Sequence, residues 1–275
     1  MSTHKVVFGD CRAMPELADQ AVHLVVTSIP YWSLKDYSHE DQIGLGQSYE
    51  EYLTSMREVL SECFRSLHDG CRMIINTGDQ YCSTQEHGYY HVKPISADVI
   101  RISQELGFVY MGDIIWRKTP NGKASGGAVL GGSLYYPRDG ALNIAYEHIL
   151  VFRKLGEKPA VSAEAKELSK LTKEERTKWF YAFWNDITPE RQTGHVAMFP
   201  VELPLRIIKM FSFHGETVLD PFMGSGTTAK AAMMTGRNSI GYEINDKLED
   251  MIRLKVVGDM PELWDDVLEF DRRPA

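Results

Sequence analysis

Two short stretches of this chain carry the residue types of a reacting site. In the first, the apolar run Thr217-Val218-Leu219-Asp220 leads into Pro221-Phe222-Met223-Gly224-Ser225-Gly226-Thr227-Thr228 and then the helix-forming run Ala229 to Thr235. A strand, a turn with two glycines and a helix N-terminus make a place where backbone approaches a ligand closely and free N–H groups point at it. After Gly236 a second strand, Asn238 to Tyr242, delivers Glu243 nineteen residues past Gly224. A carboxylate at that position suits the hydroxyls of a ribose. No Gly-Lys-Ser or Gly-Lys-Thr follows the turn, and no third glycine completes a dinucleotide fingerprint. The expected ligand is therefore small and adenosine-bearing, a nucleoside without phosphates rather than ATP or NAD.

The second stretch, Thr27-Ser28-Ile29-Pro30-Tyr31-Trp32, closes another apolar run, Val22 to Thr27. Ligands of open α/β sheets bind outside the carboxyl ends of strands, which is where these polar and aromatic residues stand. A plainer role is also open to them: Pro30 ends a strand and the two aromatics cover its edge.

Both stretches need a scaffold, and the rest of the chain reads as one. Lys5 to Phe8 and Val22 to Thr27 are apolar runs without alternation, as expected of parallel strands covered on both faces, and Arg72 to Asn76, Phe108 to Trp116 and Ala145 to Arg153 also read as strands. Helical segments lie between them: a short one after Asp10, one opened by a Ser48/Glu51 capping box and broken by Gly70, and one from Pro94 to Gly107. His195 to Phe213 reads as a loop and helix leading to the glycine turn. The expected fold class is α/β, a doubly wound, mostly parallel Rossmann-like sheet with a small, mainly helical insertion.

With 275 residues the chain can bury one substantial core. No run of eighteen apolar residues and no signal-peptide pattern occurs, so a cytoplasmic protein without membrane contact is expected. Cys11, Cys63, Cys71 and Cys82 lack metal-site spacing, so they are read as reduced thiols and no metal site is expected. The formal net charge of -8 hides an asymmetry, because Arg117 to Lys178 holds twelve Lys and Arg against seven Asp and Glu. Such a segment is either a solvated helical face, Ala163 to Lys178, or a nucleic-acid footprint.

Ser28-Ile29-Pro30-Tyr31 resembles the S-P-P-Y signature of the exocyclic-amino DNA methyltransferases, and Asp220 to Thr228 resembles their D-P-F-x-G-S-G-T-T cofactor motif. Gly9-Asp10, Gln42-Ile43-Gly44-Leu45 with Tyr49-Glu50-Glu51-Tyr52-Leu53, Trp116-Arg117-Lys118, Glu147-His148-Ile149-Leu150 and His195 to Phe199-Pro200 also stand where that family has similar elements. Catalytic motif first and cofactor motif last is the order of its β group. None of the cysteines follows a proline, unlike the Pro-Cys nucleophile of enzymes that methylate cytosine ring carbon.

The resemblance implies S-adenosylmethionine as cofactor and double-stranded DNA as partner, and it leaves open a cognate restriction endonuclease and a homodimer. It divides the chain into a catalytic half, 1–154, a target-recognition insertion at 155–185 and a cofactor-binding half at 186–275; within the first, the six glycines between Thr119 and Leu142 read by themselves as a mobile loop, 119–142. It gives Ser28, Ile29, Pro30 and Tyr31 to catalysis, with Ser28 Oγ and the Ile29 carbonyl accepting the amino hydrogens and Tyr31 stacking on an extruded base. Trp32 is expected in the core. Asp10 is given the adenine amino group and Glu243 the ribose. Phe222 would face the adenosine, and Gly224, Ser225, Gly226 and Thr227 with the loop from His195 to Phe199 would enclose the methionine portion; Asp220 belongs to the same motif. Serine at position 28 is more like the cytosine-N4 subset than the adenine-N6 subset. Ile29 stands where the family has proline, which removes a φ restraint and puts loop rigidity in question. An inactive, cofactor-binding specificity subunit is the rival reading.

Overall fold

The computed structural model describes residues 2–118, 142, 144–189, 199–258 and 266–273. In chain order the elements are β1 (Thr3–Phe8), β2 (Val22–Ser28), α1 (Tyr49–Ser66), β3 (Leu67–Thr77), β4 (Gln80–Cys82), α2 (Thr84–His87), β5 (His91–Lys93), α3 (Ile95–Glu105), β6 (Phe108–Arg117) and β7 (Tyr146–Lys154). They continue with α4 (Ala163–Leu168), α5 (Lys173–Trp179), β8 (Phe183–Trp184), α6 (Glu202–Phe211), β9 (Thr217–Asp220), α7 (Thr227–Met234), β10 (Asn238–Glu243), a 3-10 turn at Asp246–Leu248, α8 (Glu249–Val257) and β11 (Val267–Arg272).

Nine strands form one sheet in the order β11-β1-β10-β9-β2-β3-β7-β6-β8, with β4 and β5 apart as a small hairpin. Every neighbouring pair is parallel except those made by β7, which runs antiparallel to β3 and β6. From β2 the chain winds outward to β3, whereas from β9 it winds the other way to β10. The winding direction therefore reverses between β2 and β9, the place where open α/β sheets leave a crevice for ligands.

Both faces of the sheet are covered, which is why the strands read as unbroken apolar runs. Val25 of β2 packs with Tyr52, Met56 and Val59 of α1 and Val99 of α3. Its neighbours Leu24 and Val26 pack on the other face with Leu203, Ile207 and Ile208 of α6 and Ala231 and Ala232 of α7. Helix α1 starts where the capping box places it: Ser48 Oγ accepts from the Glu51 N–H, and the Glu51 carboxylate accepts from the Ser48 N–H at 2.7 Å.

The structure departs from the expected elements at several points. No helix follows Asp10; residues 11–20 form turns, because Pro15 disfavours helical φ/ψ at Met14 and ends any helix before one turn is complete. The helix expected across Ala163 to Lys178 is two short ones, since Thr172 makes its own capping box with Glu175 and restarts the chain. The β4–α2–β5 excursion, α8 and β11 add elements that the apolar runs did not announce. The glycine-rich stretch expected as a mobile loop, 119–142, lies outside the described residues except for Leu142, whose carbonyl accepts from the Tyr81 hydroxyl. Among the described residues no helix is long and apolar enough to cross a membrane.

Candidate active site

The carboxyl ends of β1, β2, β9 and β10 open into one cavity at the β2/β9 reversal. On its β9–β10 side the wall is Phe222, Met223, Gly224, Ser225 and Thr227 together with Glu243. The turn reaches the cavity because Gly224 and Gly226 take φ of +51° and +86°, values that favour glycine. At Gly226 a side chain would also meet Val256 and Ile252 of α8, at 3.0 and 3.3 Å. Helix α7 starts directly after Gly226 with no side-chain cap, so its first N–H groups are left for a ligand.

Glu243 is held by this turn. Its carboxylate accepts from the Asn245 N–H at 2.9 Å and from the Gly224 N–H. Burial nevertheless pushes the carboxyl up to about 7, and nearby Asp220 adds to the rise. A half-buried acceptor of this kind on a cavity wall is matched by neutral hydroxyl donors. Asp10 lines the same cavity from the end of β1, with its carboxylate also accepting from the backbone and guanidinium of Arg12 at 2.9 and 2.7 Å.

On the other side the cavity is walled by Ser28, Ile29, Pro30 and Tyr31. The missing proline at position 29 is made good by hydrogen bonds. Ile29 keeps an N–H, which donates to the Asn76 carbonyl at 3.3 Å and carries the β2–β3 ladder one residue further. Tyr52 Oη donates to the Pro30 carbonyl at 2.9 Å, and the Tyr31 N–H donates to Tyr37 Oη at 3.3 Å. The Ile29 side chain is buried in the α1-side core. Trp32 is buried as expected and donates Nε1–H to the Gln47 carbonyl at 2.9 Å.

Asp220 and Gly226 are not on the cavity wall. Asp220 lies just behind it, accepting from Thr27 Oγ1 at 2.7 Å, Thr228 Oγ1 at 2.6 Å and the Phe222 N–H at 3.1 Å. Burial raises its carboxyl to about 6 against the pull of these three donors. Asp220 thus ties the residue before Ser28 to the glycine turn. Phe199 reaches the cavity, while His195 lies outside the described residues.

Three residues shape the site that the sequence did not single out for chemistry. Tyr37 bridges both halves: its hydroxyl meets the Tyr31 backbone and its carbonyl accepts from Asn245 Nδ2 at 3.4 Å. Glu147, at the start of β7, is buried and accepts from the Tyr31 hydroxyl, from Lys118 Nζ and from Asn76 Nδ2 at 2.8 Å. Asn76 Nδ2 also lies 3.3 Å from Ser28 Oγ. No spacing rule links positions 28, 31, 76 and 147; their strands are neighbours only in the sheet.

The basic insertion sits mostly elsewhere. Ser169, after α4, bonds to the His214 N–H at 2.7 Å and to Arg237 at 3.3 Å, residues that precede β9 and β10 and so mark the far end of the sheet. Helix α5 lies on α6 through Trp179 and the Glu175–Lys209 ion pair. The insertion approaches the cavity-bearing end at β8, where Phe183 and Trp184 pair with Ile115 and Trp116 and the Ala182 carbonyl accepts from the Ile115 N–H at 2.8 Å. Lys35 and Lys118 do stand there, close enough that Lys118 adds to the effect of burial in lowering the pKa of Lys35. Among the described residues no cluster of three or more His, Cys, Asp or Glu is placed to hold a metal.

The DNA methylase family model covering N6 and N4 enzymes matches residues 22–254. The chain belongs to the N6/N4 DNA methylase family. This methylase is 36% identical over 286 residues to the Type II methyltransferase M.MjaI of Methanocaldococcus jannaschii, covering 93% of this chain and 91% of the relative. It is 32% identical to the Type II methyltransferase M.MthZI of Methanothermobacter thermautotrophicus, covering 93% of this chain and 77% of the relative. Among solved structures, a candidate DNA modification methylase of Thermus thermophilus, crystallised with S-adenosyl-L-methionine, superposes with a TM-score of 0.80 at 32% identity over 99% of both chains. The cytosine-N4-specific PvuII DNA methyltransferase shares the fold, with a TM-score of 0.63 at 19% identity over 98% of this chain and 95% of the other.

Proposed function

We propose that this DNA methyltransferase moves a methyl group from S-adenosylmethionine to the exocyclic N4 amino group of a cytosine flipped out of a specific duplex sequence. The observation that carries the reading is that Ser28 to Tyr31 and the Gly224–Glu243 turn wall one cavity at the β2/β9 reversal. The residues fit the cofactor: the half-buried Glu243 carboxyl on the cavity wall suits two ribose hydroxyls, and the uncapped start of α7 suits a carboxylate. When bound, the cofactor supplies an electrophilic methyl on a sulfonium.

The chain's own residues then have a positioning task. An amino nitrogen conjugated to a pyrimidine ring is a weak nucleophile, so Ser28 Oγ and the Ile29 carbonyl accept its two hydrogens and favour the form with a free lone pair. The same acceptors stabilise the positive charge that grows on nitrogen before one hydrogen leaves as a proton. Extrusion of the base costs a few kcal/mol, and stacking on Tyr31 returns roughly 1 to 3 kcal/mol. The tie from Asp220 to Thr27 keeps the acceptor loop and the cofactor turn in fixed relation.

Serine at position 28 supports cytosine over adenine as the target. The test is incubation with labelled cofactor and DNA of mixed sequence, followed by digestion to nucleosides and mass spectrometry. N4-methylcytosine is expected. N6-methyladenine overturns the base assignment, and cofactor binding without any transfer overturns the enzyme reading in favour of a specificity subunit.

A further inference from the structure

We infer that Glu147 is the positioning residue for the base-binding half of the site, anchoring the axis of the Tyr31 ring and, through Asn76, orienting Ser28 Oγ. The inference rests on the methyl-transfer reading above and adds a residue to it. Three donors from three separate elements converge on this one buried carboxylate: the Tyr31 hydroxyl from the catalytic loop, Asn76 Nδ2 from β3 and Lys118 Nζ from the end of β6.

A carboxylate accepts and does not donate, so it dictates which way its neighbours turn. Asn76 must present its amino side to Glu147, and that same NH2 group then lies 3.3 Å from Ser28 Oγ. The amide donates its second hydrogen to the serine, which occupies one lone-pair direction of Oγ and confines the hydroxyl hydrogen and the other lone pair to the remaining two. The arrangement leaves a trace: Asn76 Oδ1 is buried with no hydrogen-bond partner among the described residues. Such an atom is uncommon in a native core and calls for a specific cause. At Tyr31 the contact acts directly, because a ring tethered by its hydroxyl at one end and its backbone at the other keeps its long axis in one direction. Gly78 leaves room for the contact, since a side chain there would crowd Glu147 at 3.2 Å while only touching the Tyr31 ring at 3.6 Å. Lys118 offsets the buried charge.

The test compares wild type, Glu147→Gln, Tyr31→Phe and the double variant in single-turnover methyl transfer at saturating cofactor, with cofactor Kd measured in parallel. A glutamine at 147 can no longer accept from both neighbours, so the transfer rate should fall about 10- to 100-fold while cofactor Kd stays within about twofold. Because both substitutions break one contact, the double variant should lose much less than the product of the single losses. An unchanged rate, multiplicative losses, or a parallel loss of cofactor affinity overturns the inference. If Glu147→Gln does not fold, Tyr31→Phe alone decides: it removes only the hydroxyl, and an unchanged rate there overturns the inference while a tenfold loss supports it. Wild type that transfers no methyl at all defeats the methyl-transfer reading instead, which keeps the two failures apart.

Discussion

At Glu243, fold stability and cofactor affinity should move in opposite directions with pH. Burial lifts this carboxyl from the ordinary 4.5 to about 7. A carboxyl whose folded pKa lies above its unfolded one lends stability that is complete below the unfolded value and is lost as pH rises through the folded one. The cofactor-free protein should therefore weaken from pH 4.5 to 7 and slightly beyond, by up to about 3 kcal/mol. Ribose hydroxyls need the ionised form as their acceptor, so binding runs the other way. With a pKa near 7, roughly one carboxyl in ten is ionised at pH 6 and nine in ten at pH 8, which makes S-adenosylmethionine bind about tenfold more weakly at pH 6. Complex formation at pH 6 should release close to one proton. Isothermal titration calorimetry in two buffers of different ionisation heat measures both quantities. Glu243→Gln supplies the baseline for every other titrating group, including the amino group of the cofactor. That variant should bind cofactor poorly at all pH values yet be more stable than wild type without it at pH 8. A wild-type affinity that changes no more between pH 6 and pH 8 than that of the variant refutes the reasoning.

Other residues give expectations of the same kind. Ile29→Pro restores the family pattern but deletes the N–H donated to Asn76 and a buried side chain, so denaturant melts should show a loss of about 1 to 3 kcal/mol with methyl transfer retained. Thr27→Val removes one of the two hydroxyls that support Asp220. Asp220 is neutral well below its pKa of about 6 and charged well above it, so the loss, about 1 to 3 kcal/mol at alkaline pH, should shrink as pH falls below 6; a loss independent of pH contradicts the assignment. Lys35→Ala should weaken DNA binding and lower the salt slope by about one, because Lys35 and Lys118 face each other at the cavity-bearing end. Lys166→Ala with Lys170→Ala, on exposed α4 and the turn after it at the far end, should leave filter-binding affinity and slope unchanged.

The parts of the fold that could be read from the sequence are those governed by local physics. The apolar runs found their strands because both faces of the sheet are covered, and the Ser48/Glu51 box found the start of α1 because a cap is decided within four residues. The glycine turn was readable for the same reason. Pairing across the sheet was not. Nothing along the chain says that Thr27 meets Asp220 or that Tyr31 meets Glu147, since each contact depends on strand order. The charge count was also a poor guide to place, as it sums residues from both ends of the sheet. Strand β11 escaped notice because an exposed edge strand of mixed character, Val267-Leu268-Glu269-Phe270-Asp271-Arg272, lacks the buried run that marked its neighbours.

The hydrogen bond from Thr27 to Asp220 joins residues 193 positions apart in the chain but on adjacent strands. Methyl donor and acceptor are therefore kept at a fixed separation by lateral strand contact, and the intervening polypeptide does not set that distance. Within that connection α6 packs under β2 and Phe199 lines the cavity, so it is the exposed α4 segment, which buries no residue, that can change in length without shifting the hydroxyl of Ser28 relative to the carboxylate of Glu243. The placement of the reacting atoms is thereby inherited with the strand order of the sheet, independently of that exposed segment.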